Sequence, residues 1–321
     1  MKHRTSKWLT VATIVWLFTS SFACAEEAAS AIVLVGAGGE EEYATAFAKW
    51  AGNWQRACDA GGVKARTIGL DESASKSLAQ FRAALRDEPA EGAELWLVLI
   101  GHGVDGKFNL TGDDLSADEF ATLLKPFHRP LVIINSFSAS GAFMAPLAAP
   151  GRVIVCATKS ASEHNYSRFG GYFSEAIADL GADLDKDGQT SVLEAWLAAS
   201  LRVAAFYKDE GRLATEHSML DDNGDGKGTA PDWFRGVRVV KKAKDGTPAD
   251  GLRAHQIHLI ANAGERALPP AVRAERDALE VELAKLRDTK SSMPEADYFR
   301  ALEALLLKIA KLYDGHLQKH E

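Results

Sequence analysis

Two short, wholly apolar runs, Leu95 to Ile100 and Leu131 to Ile134, constrain the fold of this chain more than any other feature. Neither alternates polar with apolar positions, which is how a strand covered on both faces of a parallel sheet reads. Ile32 to Val35, Val63 to Ile68 and Val153 to Ala157 read as further strands, and Glu41 to Cys58, Ser75 to Leu85 and Gly171 to Leu180 as helices between them. Alternation of this kind predicts an α/β three-layer sandwich, a mostly parallel sheet with helices on both faces. Val237 to Val240 and His258 to Ile260 are expected to add edge strands, and Lys107 to Leu115 a small hairpin.

Each of the two leading runs ends in a motif. Leu97 to Gly103 reads Leu-Val-Leu-Ile-Gly-His-Gly, and Asn135 to Gly141 reads Asn-Ser-Phe-Ser-Ala-Ser-Gly. His102 and Ser138 therefore stand at strand ends, and in open α/β sheets the crevice outside the carboxyl ends of the strands is where ligands bind. The pair resembles the caspase, legumain and metacaspase clan of cysteine peptidases, in which His-Gly follows one core strand and an acidic-x-Cys-x-Ser-Gly box follows the next. Gly141 and Ser140 match the last two positions of that box, Ala139 and Phe137 fill its variable ones, and Ser136 replaces its acid. Ser138 stands where the nucleophilic cysteine belongs.

The resemblance spans residues 30 to 260 and implies a caspase-like fold with a peptide or protein as partner. It does not settle activity. A thiol with a pKa of about 8.5 is readily drawn to thiolate by an imidazole, whereas a serine hydroxyl needs a base that is itself oriented by a third group. The favoured outcome is a catalytically degenerate homologue that binds in the relict cleft. The opposing one is a peptidase or acyl hydrolase with Ser138 as nucleophile, His102 as general base and amides near Gly103 and Ser138 as oxyanion donors. Ser136, Ser138 and Ser140 also read as caps of a helix beginning near Gly141.

Asp183 to Glu194 is the most specific motif in the chain. It places carboxylates at its first, third, fifth and twelfth positions and Gly188 at its sixth, the pattern of an EF-hand loop. A hard cation such as calcium takes about six to eight oxygens, supplied here by Asp183, Asp185, Asp187, the carbonyl of Gln189 and a bidentate Glu194, with Ser191 holding a water. A second acidic loop starts 38 residues later with Asp221, Asn223, Asp225 and Gly226. Asp232 replaces the long Glu there, and Pro231 forbids the usual exit helix, so this loop is expected to close differently; an acidic turn without metal reads equally well. The two loops could pair across Val192 to Phe206 or bind separately. His255 and His258, three apart and read on a strand, turn to opposite faces, so zinc is not expected.

A net charge of -7 and the absence of a clustered basic face argue against nucleic acid. Lys2, His3, Arg4 and Lys7 precede the apolar stretch Trp8 to Phe18, and Ala23-Cys24-Ala25 offers a small-x-small cleavage site, so residues 1–25 read as a signal peptide. That stretch is shorter than the roughly 20 residues that span a bilayer. The mature chain is expected to be exported, periplasmic or extracellular, without stable membrane insertion. Cys58 and Cys156 read as buried small hydrophobes rather than a disulfide. Gly36 to Gly39 lacks the third glycine of a dinucleotide fingerprint, and Glu40 to Glu42 would repel a pyrophosphate. After an α/β domain over 26–262, residues 263–321 read as a helical hairpin: Val272 to Leu286, then Tyr298 to Leu317, with Ser292 to Glu295 as a capping box. The hairpin either folds onto the core or mediates self-association, a third class of function.

Overall fold

The structure is a computed structural model that describes residues 28–71 and 74–317. The expected signal peptide, with Cys24, lies outside the described residues. In chain order the elements are β1 (Ser30–Val35), α1 (Glu41–Gly61), β2 (Lys64–Ile68), α2 (Ser77–Asp87), β3 (Leu95–Gly101), β4 (Gly103–Val104), β5 (Lys107–Phe108), β6 (Leu115–Ser116), α3 (Ala117–Leu123), β7 (Leu131–Phe137), α4 (Met144–Leu147) and β8 (Arg152–Cys156). There follow α5 (Phe169–Ala176), α6 (Val192–Asp209), β9 (Met219–Asp221), β10 (Phe234–Arg235), β11 (Arg238–Val239), α7 (Leu252–Gln256), α8 (Ala263–Ala267), α9 (Pro270–Asp288) and α10 (Glu295–Leu317).

Six strands form the central sheet in the order β2-β1-β3-β7-β8-β9, parallel except for β9. Every residue of β3 and β7 is buried, because both faces of these middle strands are covered. One face packs Trp54, Trp96, Phe173 and Trp196 beneath α1, α5 and α6. The other packs Phe81, Phe120 and Phe143 beneath α2, α3 and α4. At about 1.5–3 kcal/mol for each large apolar side chain taken from water, these two layers dominate the stability of the domain. The result is the mixed α/β three-layer architecture, with the hairpin region realised as the three-stranded β4-β5-β6 ribbon.

Two expected edge strands are elsewhere. Residues near Val239 pair only with β10, across a tight turn in which Gly236 adopts φ +56°, and His258 forms a single bridge to Ser191. The true edge is β9, antiparallel to β8, which carries Asp221 at its end. Cys58 and Cys156 are free and buried on opposite faces of the sheet, and burial pushes both thiols up to about 12.

Helices α9 and α10 pack on each other through Leu279, Leu283 and Tyr298, and the pair docks on the core through α7. Arg253 pairs with Asp277 at 3.3 Å and Gln256 Nε2 donates to Glu280 at 2.9 Å. Ser292 does not form the expected capping box; its hydroxyl donates to the Thr289 carbonyl, closing a 3-10 turn before α10. Phe299, Leu306 and Leu307 remain exposed on α10. No helix among the described residues is long and apolar enough to cross a membrane.

Candidate functional site

Neighbouring strands β3 and β7 run in register, Gly101 opposite Phe137, so His102 and Ser138 emerge one residue beyond the same rung. The two side chains then part company. Ser138 is 1% exposed, its hydroxyl accepting from the Gly103 N–H at 3.1 Å and donating to the Gly103 carbonyl at 3.2 Å. Ala139 follows in the left-handed region at φ +59°, with its N–H on the Glu163 carbonyl at 2.7 Å. A non-glycine residue there is costly, and it turns the chain sharply away from the strand end.

The His102 ring lies among Tyr43, Phe47 and Tyr166, with ring centroids 5.0, 5.1 and 6.1 Å away. Burial lowers its pKa below the ordinary imidazole value, against a smaller upward pull from a hydrogen bond to the Gly38 backbone. The ring is therefore neutral at pH 7. No hydrogen bond joins His102 to Ser138 among the described residues. Gly38 is needed for chain packing, since a Cβ there would lie 2.7 Å from Ala44 at the start of α1.

The other serines of the box serve the backbone. Ser140 pairs with Thr158 at 3.2 Å and accepts the Thr158 N–H at 3.1 Å, tying the ends of β7 and β8 together. The Ser136 hydroxyl is buried without a hydrogen-bond partner. None of these serines caps the turn Ser140–Phe143, whose Gly141 N–H donates instead to Thr158 Oγ1 at 3.1 Å, so the helix-cap reading of the serines is not met.

A cavity of about 320 Å³ is walled by Tyr43 and Tyr166, whose rings pack on His102, and is lined also by Glu42, Arg168, Tyr207 and Arg212; His102 and Ser138 themselves do not line it. Arg168 lies over the ring of Phe206 at 4.1 Å and of Tyr166 at 5.3 Å. Behind this wall Glu216, 2% exposed, accepts from Ser167 at 2.6 Å, from the N–H groups of Arg168 at 2.9 Å and Phe169 at 3.1 Å, and from Tyr207 at 3.3 Å. A single buried carboxylate thus fixes the start of α5 and one side of the cavity. No local pattern marks Glu216, because its partners lie up to 49 residues away.

In the first acidic loop, Asp183 accepts from the N–H groups of Lys186 at 2.6 Å and Gly188 at 3.1 Å. Partial burial raises the Asp183 pKa, but those donors and the Lys186 charge outweigh it and hold the carboxylate below its ordinary range. One carboxylate oxygen from each of Asp183, Asp185 and Asp187 lies within 4.8 Å of the others, an all-oxygen donor set that suits a hard dication. Glu194 at the twelfth position turns inward to take four donors: Leu184 N at 2.7 Å, Asp185 N at 3.3 Å, Ser191 N at 2.9 Å and Ser191 Oγ at 2.8 Å. The Ser191 hydroxyl in turn accepts from Glu194 N at 3.3 Å, completing a capping box at the start of α6. The Gln189 side chain accepts from Asn262 N at 2.9 Å. Across the loop sits not the second acidic loop but the segment after α7, through Val192 N to Ile257 O at 2.9 Å.

The second loop begins in the same way. Asp221 accepts from Gly224 N at 2.8 Å and Gly226 N at 2.5 Å. Asn223 accepts from Asp225 N and Asp225 from Lys227 N, each at 2.9 Å. Asp232 does not join them; it lies on the surface paired with Lys241. The loop is closed instead by Asp250, which takes Asp222 N at 3.0 Å, Asn223 N at 3.2 Å and Thr229 Oγ1 at 2.7 Å.

No protein-family model and no curated protein matches this chain. Among solved structures, the chain is similar to the crystal structure of caspase-1 from Spodoptera frugiperda. The TM-score is 0.39 at 10% sequence identity, over 61% of this chain and 86% of that one.

Proposed function

We propose that this chain is an exported, calcium-binding homologue of the caspase-like peptidases that no longer hydrolyses peptides and holds a peptide or protein segment in the cleft beside His102. The observation that carries this reading is the Ser138 hydroxyl. It gives its one proton to the Gly103 carbonyl and accepts from the Gly103 N–H, and it lies 1% exposed without a hydrogen bond to His102. Attack on a carbonyl needs a hydroxyl that faces the substrate and hands its proton to a base. Here the proton is already committed to the Gly103 carbonyl, a bond worth about 1 kcal/mol net that would first have to break.

The cavity walled by Tyr43 and Tyr166, the rings that pack on His102, supports binding instead. Tyrosine rings supply apolar walls, and Arg168 and Arg212 supply guanidinium groups suited to a carboxylate-bearing side chain. The all-oxygen set of Asp183, Asp185 and Asp187 supports calcium as the bound ion, with Gln189 and Glu194 completing the ligands named by the motif. Calcium would brace the loop between α5 and α6, and the segment leading into α5, with Tyr166 and Arg168, forms one side of the cavity.

Labelling with a fluorophosphonate tests the reading directly. Wild type is expected to stay unlabelled and to leave peptide libraries intact. Labelling that disappears in Ser138→Ala would overturn it in favour of a serine hydrolase. Binding of an acidic fluorescent peptide, weakened severalfold by Arg212→Ala, is the expected positive result.

A further inference from the structure

Helix α7 carries His255 to the mouth of the first acidic loop, where its Nε2 lies 2.9 Å from Asp185 Oδ2, although 70 residues separate the two in sequence. One ligand atom from each of Asp185, Glu194 and His255 lies within 4.8 Å of the other two. The placement is held on both sides of α7. His255 N donates to Gly251 O at 3.0 Å, and beyond the helix Ile257 accepts from Val192 at the start of α6. A second imidazole stands close by: His258 Nε2 is buried without a hydrogen-bond partner, within electrostatic reach of Asp187 and Glu194.

We infer that Asp185, Glu194 and His255 form a mixed oxygen and nitrogen site for a first-row transition-metal dication such as zinc. The inference goes beyond the calcium reading of the same loop, with which it shares Asp185 and Glu194. Calcium is hard and takes oxygen, so an imidazole adds nothing to its binding. A borderline ion gains from a nitrogen donor, and two carboxylates with one imidazole are among its common protein ligands. Ligand atoms about 2.1 Å from a tetrahedral zinc stand about 3.4 Å apart. Atoms within 4.8 Å of one another close on the ion by up to about 0.7 Å each, which side-chain rotation of a part-exposed His255 and Asp185 allows. The hydrogen now shared between His255 and Asp185 gives way to the metal. Because Asp185 belongs to both donor sets, calcium and zinc compete for one loop.

Calorimetric titration of the chelator-stripped full chain with Zn²⁺, and separately with Ca²⁺, tests this in wild type, His255→Gln and Asp183→Asn. Zinc binding is expected to weaken by about tenfold or more in His255→Gln, with calcium binding kept within about twofold. Asp183→Asn is expected to do the reverse. Zinc binding equal in wild type and His255→Gln overturns the inference, whether or not calcium binds. Zinc binding that needs His255 in a chain that takes no calcium supports it and overturns the calcium reading instead.

Discussion

The two acidic loops share a beginning and differ at the end. Position by position, Asp183 and Asp221 accept from the fourth and sixth N–H groups of their loops, and the third and fifth side chains each cap the N–H two residues on. The fourth and sixth residues are left-handed in both: Lys186 at φ +65° and Gly188 at φ +87°, Gly224 at φ +80° and Gly226 at φ +72°. Such bonds span two to five residues, so four residues of matching type are enough to fold the turn. Closure is another matter. The first loop runs into α6 and receives Glu194 from its own first turn, whereas Pro231 prevents that continuation in the second and Asp250 arrives from a distant segment. A shared half-motif is thus a shared turn, and what differs is the group that closes it.

The largest expected effect is that of Glu194→Ala, which strands four donors, two of them buried with Ser191. It should cost about 3 kcal/mol in urea denaturation and abolish calcium binding. Retained calcium binding would mean that the first loop does not need its closing residue. Next in size, calcium at a hundred times its Kd should stabilise by about 2.7 kcal/mol, raising Tm by about 5 °C. Calorimetry should count one calcium ion, lost in Asp183→Asn and kept in Asp225→Asn; two equivalent ions would erase the distinction between the loops.

A smaller effect follows from Asp250. Burial, with the charges of Asp222 and Asp221 nearby, outweighs the hydrogen bond from Thr229 and pushes its pKa up to about 7. An unfolded chain holds this proton only below about pH 4. Between those values the native state binds more protons than the unfolded one, so stability falls as pH rises from about 4 to about 7. Asp250→Asn should flatten that fall in pH-dependent denaturation. An unchanged slope would show that Asp250 is not the buried closing group of the second loop. Smallest of all, Asp232→Ala should leave both stability and calcium stoichiometry unmoved, since it removes only a surface pair with Lys241.

The sheet and its helices were legible because burial is written locally. Leu95 to Ile100 and Leu131 to Ile134 are apolar at every position, and that alone places them in the middle of a two-sided sheet. The strand at the edge was not: Met219 to Asp221 carries too few residues to show a pattern, and pairs only because β8 offers it a free side. The same limit governs the cleft. His102 and Ser138 could be assigned to neighbouring strand ends from their motifs, but nothing around Ser138 in sequence says that Gly103 would occupy its hydroxyl.

By itself the sequence determined which segments are buried and which turns carry carboxylates, since apolar runs and backbone-capping Asp residues act within a few positions of themselves. Only the tertiary structure decided which partners those groups meet. Glu216 reaches the start of α5, Asp250 the second loop and His255 the first, each across more than twenty residues. A buried carboxylate or hydroxyl must find a hydrogen-bond partner wherever the fold brings one, and that choice is made by the packing of whole elements rather than by spacing along the chain.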